Sequence, residues 1–74
     1  MEPNFNNFRI DFGKKLRSIR KLKSLSSGDL AISSELSSSA YILSVERGQK
    51  DIQLSTIFKL AKGLDVHPKE LLDF

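Results

Sequence analysis

Apolar residues along this chain recur at steps of three and four, the spacing that lines one face of an α-helix. Phe8, Phe12, Leu16 and Ile19 fall on one stripe and predict a first helix over roughly residues 7–23, with basic residues on its other faces. Ser26 followed by Asp29 has the form of a capping box. It places a second helix at 27–34, with Leu30 and Ala31 turned inward and Gly28 weakening its first turn a little. In "ELSSSAYILSVERG", residues 35–48, any of Ser37, Ser38 and Ser39 could cap a third helix. Ile42 and Val45 mark its buried side, and Gly48 is placed to end it in a left-handed conformation. Leu54, Ile57, Phe58, Leu60, Ala61 and Leu64 predict a fourth helix, about 54–63, closing near Gly63. Pro68 suits a first helical position and Glu70 suits the positive end of the helix dipole. With Leu71, Leu72 and Phe74 they predict a short fifth helix.

Strand-like alternation is hard to find. The expectation is an all-α, compact five-helix domain with a tight central pair, the helix-turn-helix arrangement. Seventy-four residues suffice for one small domain, 1–74, with a modest core. The absence of cysteine excludes a disulfide framework and a cysteine zinc site, and fits a cytoplasmic location. The start, "MEPNFNNFRI", lacks the long apolar stretch of a secretory signal, and no segment approaches the roughly 20 apolar residues of a membrane span.

Charge adds a location to this picture. The net charge is +3, and residues 1–25 carry Arg9, Lys14, Lys15, Arg17, Arg20, Lys21 and Lys23 against Glu2 and Asp11. Residues 24–46 carry no lysine or arginine. A basic helix face is either simply solvated or a contact for a polyanion. Catalytic chemistry finds little support. Serine is abundant, but an activated serine needs a positioned base and an orienting group. The sole histidine, His67, precedes Pro68 at a helix start, where a capping or surface role suits it. One histidine without cysteine argues against zinc, and the four glycines are too scattered for a phosphate loop. Neither an enzyme nor a cofactor is expected.

Two stretches carry a resemblance. "FGKKLRSIRKLKSLSSGDLA" resembles the start of the lambda-repressor-like, or XRE-type, helix-turn-helix family, commonly fGxxLRxLRxxxgLsqxxLA. "YILSVERGQKDIQLSTIFKLAKGLDVHPKELL" resembles its second half, YIsxIErGxrxxsLxxLxkiAxaLgVxxxeLf. The match covers about residues 12–72. A domain of this size is similar to the small controllers of restriction–modification systems or to compact phage-type regulators. Three departures stand out. Ser24 replaces a helix-ending glycine, and Ser27 replaces a common phosphate-binding glutamine. Leu36 to Val45 is nine steps instead of eight, which puts one extra residue within "SSSA".

The resemblance implies a homodimeric, sequence-specific transcriptional regulator that binds palindromic double-stranded DNA. The third helix would lie in the major groove, with Ser38, Ser39, Ala40, Tyr41 and Ser44 outward. Serine hydroxyls discriminate base edges weakly, and Ala40 can contact only a thymine methyl. Tyr41 either reaches DNA or packs over the turn. Leu43 faces neither way clearly, and is apolar where the family often has a small polar residue. Ser27, with the backbone at the start of the second helix, would hold a phosphate. Arg47, Gln49 and Lys50, with Arg17 and Lys21, would anchor others. Arg20 and Glu46 would form an ion pair joining the first and third helices. Phe58, Leu72 and Phe74 are candidates for a dimer face or for core packing. No membrane or small-molecule ligand is expected. A rival from another class is a protein-interaction module of the same fold, an antirepressor or an antitoxin subunit.

Overall fold

The structure is a computed structural model that describes residues 4–74; Met1 to Pro3, and with them Glu2 of the charge count and the first residues of the N-terminal stretch, lie outside the described residues. Four α-helices follow one another: α1 (Phe5–Leu22), α2 (Ser27–Ser33), α3 (Ser39–Glu46) and α4 (Leu54–Leu64). The predicted fifth helix is instead a single 3-10 segment, Pro68–Leu72. Five residues starting at proline leave no room for i→i+4 bonding to propagate. The observed backbone bond there is the i→i+3 contact from Glu70 N–H to the His67 carbonyl, 2.9 Å. His67 caps this segment. Its Nδ1 accepts from Lys69 N–H at 3.1 Å, while the Glu70 carboxylate accepts from His67 N–H at 2.9 Å.

Each helix starts and stops for local reasons. Asn4, Ser26 and Ser38 cap α1, α2 and α3 with side-chain oxygens. Gln53 precedes α4 without such a bond. The four helices end alike. A left-handed residue follows each helix, two places beyond the last residue of α1, α2 and α3 and directly after α4: Ser24, Glu35, Gly48 and Asp65, at φ values of 58°, 57°, 74° and 58°. The N–H groups of Leu25, Leu36, Gln49 and Val66 then reach back to the carbonyls of Arg20, Ala31, Ser44 and Ala61 at 2.9–3.1 Å, which closes a Schellman turn each time. Three of these closing residues, Leu25, Leu36 and Val66, press against the core, so each turn also buries an apolar side chain. The fourth helix ends at Leu64, one residue past Gly63, with Asp65 as its left-handed cap.

Gly63 has another task. A Cβ there would run into the Ser34 hydroxyl, with Ser33 Oγ at 3.0 Å, so α4 lies almost on the backbone of α2. Gly13 does the same for α1, where a Cβ would strike the carbonyls of Val45 and Glu46 in α3. The core fills the space between these crossings with Phe12, Leu16, Ile19, Leu30, Ala31, Ile42, Val45, Leu60, Ala61, Leu64 and Leu71. Phe8, predicted on the same stripe as Phe12, stays outside. It is half exposed, with its ring edge-on to Phe74 at 5.4 Å.

One polar device sits among these apolar contacts. Arg20 Nε donates to Glu46 Oε2 at 2.6 Å and Arg20 Nη2 donates to Glu46 Oε1 at 3.0 Å, a bidentate pair with both side chains nearly buried. Arg20 Nη1 donates to the Leu25 carbonyl at 2.9 Å. The hydrogen bond to Glu46 holds the guanidinium even more firmly charged than usual; burial works against this and the Glu46 charge adds to it. Removing one partner of a buried pair leaves an uncompensated charge, a loss of roughly 3–5 kcal/mol. Arg20→Ala should therefore lower the midpoint of thermal unfolding by roughly 12 °C or more, taking ~4–8 °C per kcal/mol for a domain of this size. Circular dichroism melts check this. An unchanged midpoint would show that the pair is effectively solvated.

Candidate nucleic-acid interface

The geometry of α3 is decided at its N-terminus. Ser38, of the three serines that could cap it, is the N-cap, and its hydroxyl accepts from Tyr41 N–H at 3.2 Å. The backbone between Leu36 and Ser38 is a bend at Ser37. Ser39 is the first helical residue, so Ser37 and Ser38 of "SSSA" lie before the helix. From there inward positions follow the helical period: Ile42, Val45 and Glu46 are buried.

The outward positions separate into groups. Ser38, Ser39 and Ala40 are exposed at the start of the helix. Ala40, Leu43, Ser44 and Arg47 follow at i, i+3, i+4 and i+7 and share one stripe away from the core. Ser44 donates its hydroxyl proton to the Ala40 carbonyl at 3.0 Å, so in this rotamer its oxygen is left to accept. Tyr41 lies on the other flank, half-buried and packed against the core. One side of its ring thus packs on the edge of the core while the rest stays accessible. Arg47 is exposed as the C-cap of α3, and Gln49 and Lys50 are exposed just beyond. The spacing that puts Arg47 on the Ala40–Ser44 stripe is visible in the sequence, which nonetheless suggests only a loop role for it.

Two further clusters of candidate residues lie apart from α3. On α1, Arg17 and Lys21 are exposed and one helical turn apart. At α2, Ser26 and Asp29 form the reciprocal box: Asp29 N–H donates to Ser26 Oγ at 3.0 Å and Ser26 N–H donates to the Asp29 carboxylate at 3.2 Å. This occupies two of the N–H groups at that terminus and adds a negative charge, leaving the half-buried Ser27 and Gly28 with the free N–H groups of the first turn. Arg9 is engaged locally, with Nη2 on Asn6 Oδ1 at 2.7 Å and its guanidinium over the Phe5 ring at 5.2 Å.

The three candidate dimer residues do not form one cluster by sequence. Phe58 on α4 is 61 % exposed and borders a crevice with Ser33, Ser34, Glu35, Ser55, Lys59 and Lys62. Leu72 is exposed beside Lys69, Glu70 and Asp73. Phe74 is exposed on one side and packs on Phe8 with the other. Buried Leu71 supplies the core contact of that segment. Ile32 on α2 and Leu54 on α4 add apolar surface, 80 % and 81 % exposed, although Leu54 opens the apolar pattern that predicts the fourth helix.

Comparison with known proteins agrees with this architecture. The helix-turn-helix family model matches residues 16–71. The control protein C.BamHI of Bacillus amyloliquefaciens is 46 % identical over 70 residues, which is 93 % of this chain and 85 % of that protein. The crystal structure of the restriction–modification controller protein C.AhdI from Aeromonas hydrophila is similar at a TM-score of 0.80 and 45 % identity, covering 84 % of this chain and 92 % of that one. A hypothetical transcription factor from Neisseria gives a TM-score of 0.83 at 32 % identity, over 97 % of this chain and 82 % of its own.

The cap assignment can be checked directly. Ser38→Ala removes the acceptor for Tyr41 N–H, a loss of about 1 kcal/mol, whereas Ser37→Ala removes an exposed hydroxyl in a bend. The first should lower the unfolding midpoint by roughly 4–8 °C and the second should leave it in place. The reverse order would move the cap, and the start of α3, by one residue.

Proposed function

This chain belongs to the helix-turn-helix family of XRE type, and from that premise we propose that it is a sequence-specific, DNA-binding transcriptional regulator of the controller kind. The observation that carries the reading is the make-up of α3 and its surroundings. The outward side of α3 carries small, uncharged side chains, exposed at Ser38, Ser39 and Ala40 and half-buried at Ser44, and is flanked by exposed cations at Arg47 and Lys50, with Arg17 and Lys21 on α1. Cations that neutralise phosphates supply most of the affinity, while hydroxyl and methyl groups fit the groove and read bases. Ser38, Ser39, Ala40 and Ser44 are the proposed base-facing residues. Ser27, Arg47, Gln49 and Lys50 are the proposed phosphate contacts, and Tyr41 supports the helix from the core side.

The rest of the reading follows from scale. A helix of eight residues covers few base pairs, so useful specificity calls for two copies on a palindrome, with half-sites about one helical turn apart. We assign the homodimer face to Phe58, with Leu72 and Phe74 at the C-terminal segment. A single domain, cytoplasmic, acting without catalysis, cofactor, metal or small-molecule ligand, completes the proposal. No helix among the described residues is long and apolar enough to cross a membrane.

A protein-interaction module of the same fold is the second reading, favoured by the absence of lysine and arginine from residues 24–46. A gel shift with random duplex at low salt separates the two, since phosphate-driven binding is strongest there. Retardation supports DNA binding, and its absence supports the protein partner.

Two outcomes are expected under the main reading. Arg47→Ala and Lys50→Ala should weaken binding to every duplex and flatten the dependence of log affinity on log salt by about one unit for each phosphate that is no longer neutralised. Ser39→Ala and Ser44→Ala should keep the slope and change preference at one or two base pairs, by about 1 kcal/mol. If neither serine variant alters the ranking of duplexes, α3 is not the reader. Separately, Phe58→Asp should shift sedimentation from dimer towards monomer at micromolar concentration. A wild-type chain that stays monomeric at hundreds of micromolar would remove the dimer from the proposal.

A further inference from the structure

Leu43 is the one residue of the outward stripe without a role in the proposed interface. It sits on α3 between Ile42, fully buried, and Ser44, whose hydroxyl is turned back on the Ala40 carbonyl. Helical spacing puts it beside Ala40, three residues earlier, and Arg47, four residues later. It is half-buried, yet unlike Leu25, Leu36, Tyr41, Ile52, Ile57 and Val66 it does not pack against the core cluster. The interior is therefore closed without it. A branched four-carbon side chain is held on the face that carries the proposed base contacts, where a polar residue would be better solvated.

The chemistry of that face limits what Leu43 can recognise. Its side chain has no donor and no acceptor. The major-groove edges of the four base pairs present donors, acceptors and a single apolar feature, the C5-methyl group of thymine. Adjacent Ala40 presents another methyl, and together the two make an apolar strip one helical turn long. Ser44, with its proton donated inward, offers an oxygen acceptor at the edge of the strip. An exocyclic amino group of adenine or cytosine matches that acceptor.

We propose that Leu43 is a specificity-determining residue that reads a thymine methyl group in each half-site, with Ala40 lining the same contact. The inference rests on α3 being the groove-reading helix. It deepens that reading by naming the base feature and the side chain that selects it. A neutral helix without cations of its own then gains discrimination from desolvating a methyl group, which contributes nothing to salt dependence.

The test replaces single atoms on the DNA. Duplexes bound by the wild-type protein are selected from a random pool. Each thymine of the selected site is then replaced by deoxyuridine, which removes the methyl and leaves the hydrogen-bonding edge intact. One thymine per half-site should lose about fourfold in wild-type affinity on this change, the factor expected for one buried methyl-sized group. Leu43→Ala should bind the thymine and uracil duplexes equally, with an unchanged salt slope, and Leu43→Met should keep most of the preference. The uracil arm uses only the wild-type protein, so it reads out even where a variant is unstable. Wild-type affinity that is indifferent to uracil at every position, with sequence preference otherwise intact, overturns the role of Leu43 and leaves α3 as reader. An equal uracil penalty in wild type and Leu43→Ala also overturns it and transfers the methyl contact to another side chain. A wild-type protein with no sequence preference at all overturns this inference together with the reading on which it rests.

Discussion

Everything that α3 presents depends on one guanidinium. Arg20 reaches from α1 to both carboxylate oxygens of Glu46, in the last turn of α3, and its remaining nitrogen holds the Leu25 carbonyl in the link to α2. Three segments are fixed by one planar group. The fork geometry of arginine matters here, since a lysine could satisfy at most one of these directions well at a time. Apolar contacts alone leave helices free to slide or rotate by small amounts at little loss. A buried bidentate pair does not tolerate such movement, because any displacement uncovers a charge that water cannot reach. Gly13 completes the constraint by letting α1 touch the α3 backbone at Val45 and Glu46, which brings the two charged groups within range.

The element boundaries illustrate how much of this was legible. The starts of α2 and α3 were marked by side chains that do the capping, Ser26 with Asp29 and one of three serines that includes Ser38. The stops were less visible. Gly48 stood out because glycine advertises a left-handed residue, but Ser24, Glu35 and Asp65 adopt the same conformation with side chains that give no such signal. They do so because Leu25, Leu36 and Val66 gain burial only if the chain turns there. Gly63 lies one residue before the end of α4 at Leu64, close to the predicted close of the helix, but for a different reason. Its smallness serves the approach of α4 to α2 and has no part in ending the helix. The five residues from Pro68 carry an apolar pattern that suits an α-helix and a 3-10 turn equally, and only the hydrogen bonds distinguish them.

The candidate interface was legible in its composition and less so in its directions. Residue types and a family resemblance nominated the members of α3, and helical spacing separated Ile42 and Val45 from the rest. Tyr41 could not be assigned from sequence, since an aromatic residue at that point can lie on either flank; it packs inward, against the edge of the core. Leu43 posed the converse problem. The sequence leaves it facing neither way clearly, and only the three-dimensional packing shows that the interior is closed without it. Aromatic residues towards the C-terminus were similarly ambiguous: Phe74 has an intramolecular partner in Phe8, whereas Phe58 on α4 is more exposed.

The bend at Ser37 has a consequence for how such a domain can diversify. One residue inserted within an α-helix rotates everything after it by about 100°. In α3 that would swing Ile42 and Val45 out of the core and carry Glu46 away from Arg20. Inserted before the N-cap, the same residue leaves the helix phase untouched and only lengthens the corner by which α3 is approached. Length and recognition are thereby uncoupled. The corner can grow or shrink in a lineage while the order of side chains facing outward is inherited intact, so the vocabulary of the helix can evolve by substitution and its placement by insertion, each without erasing the other.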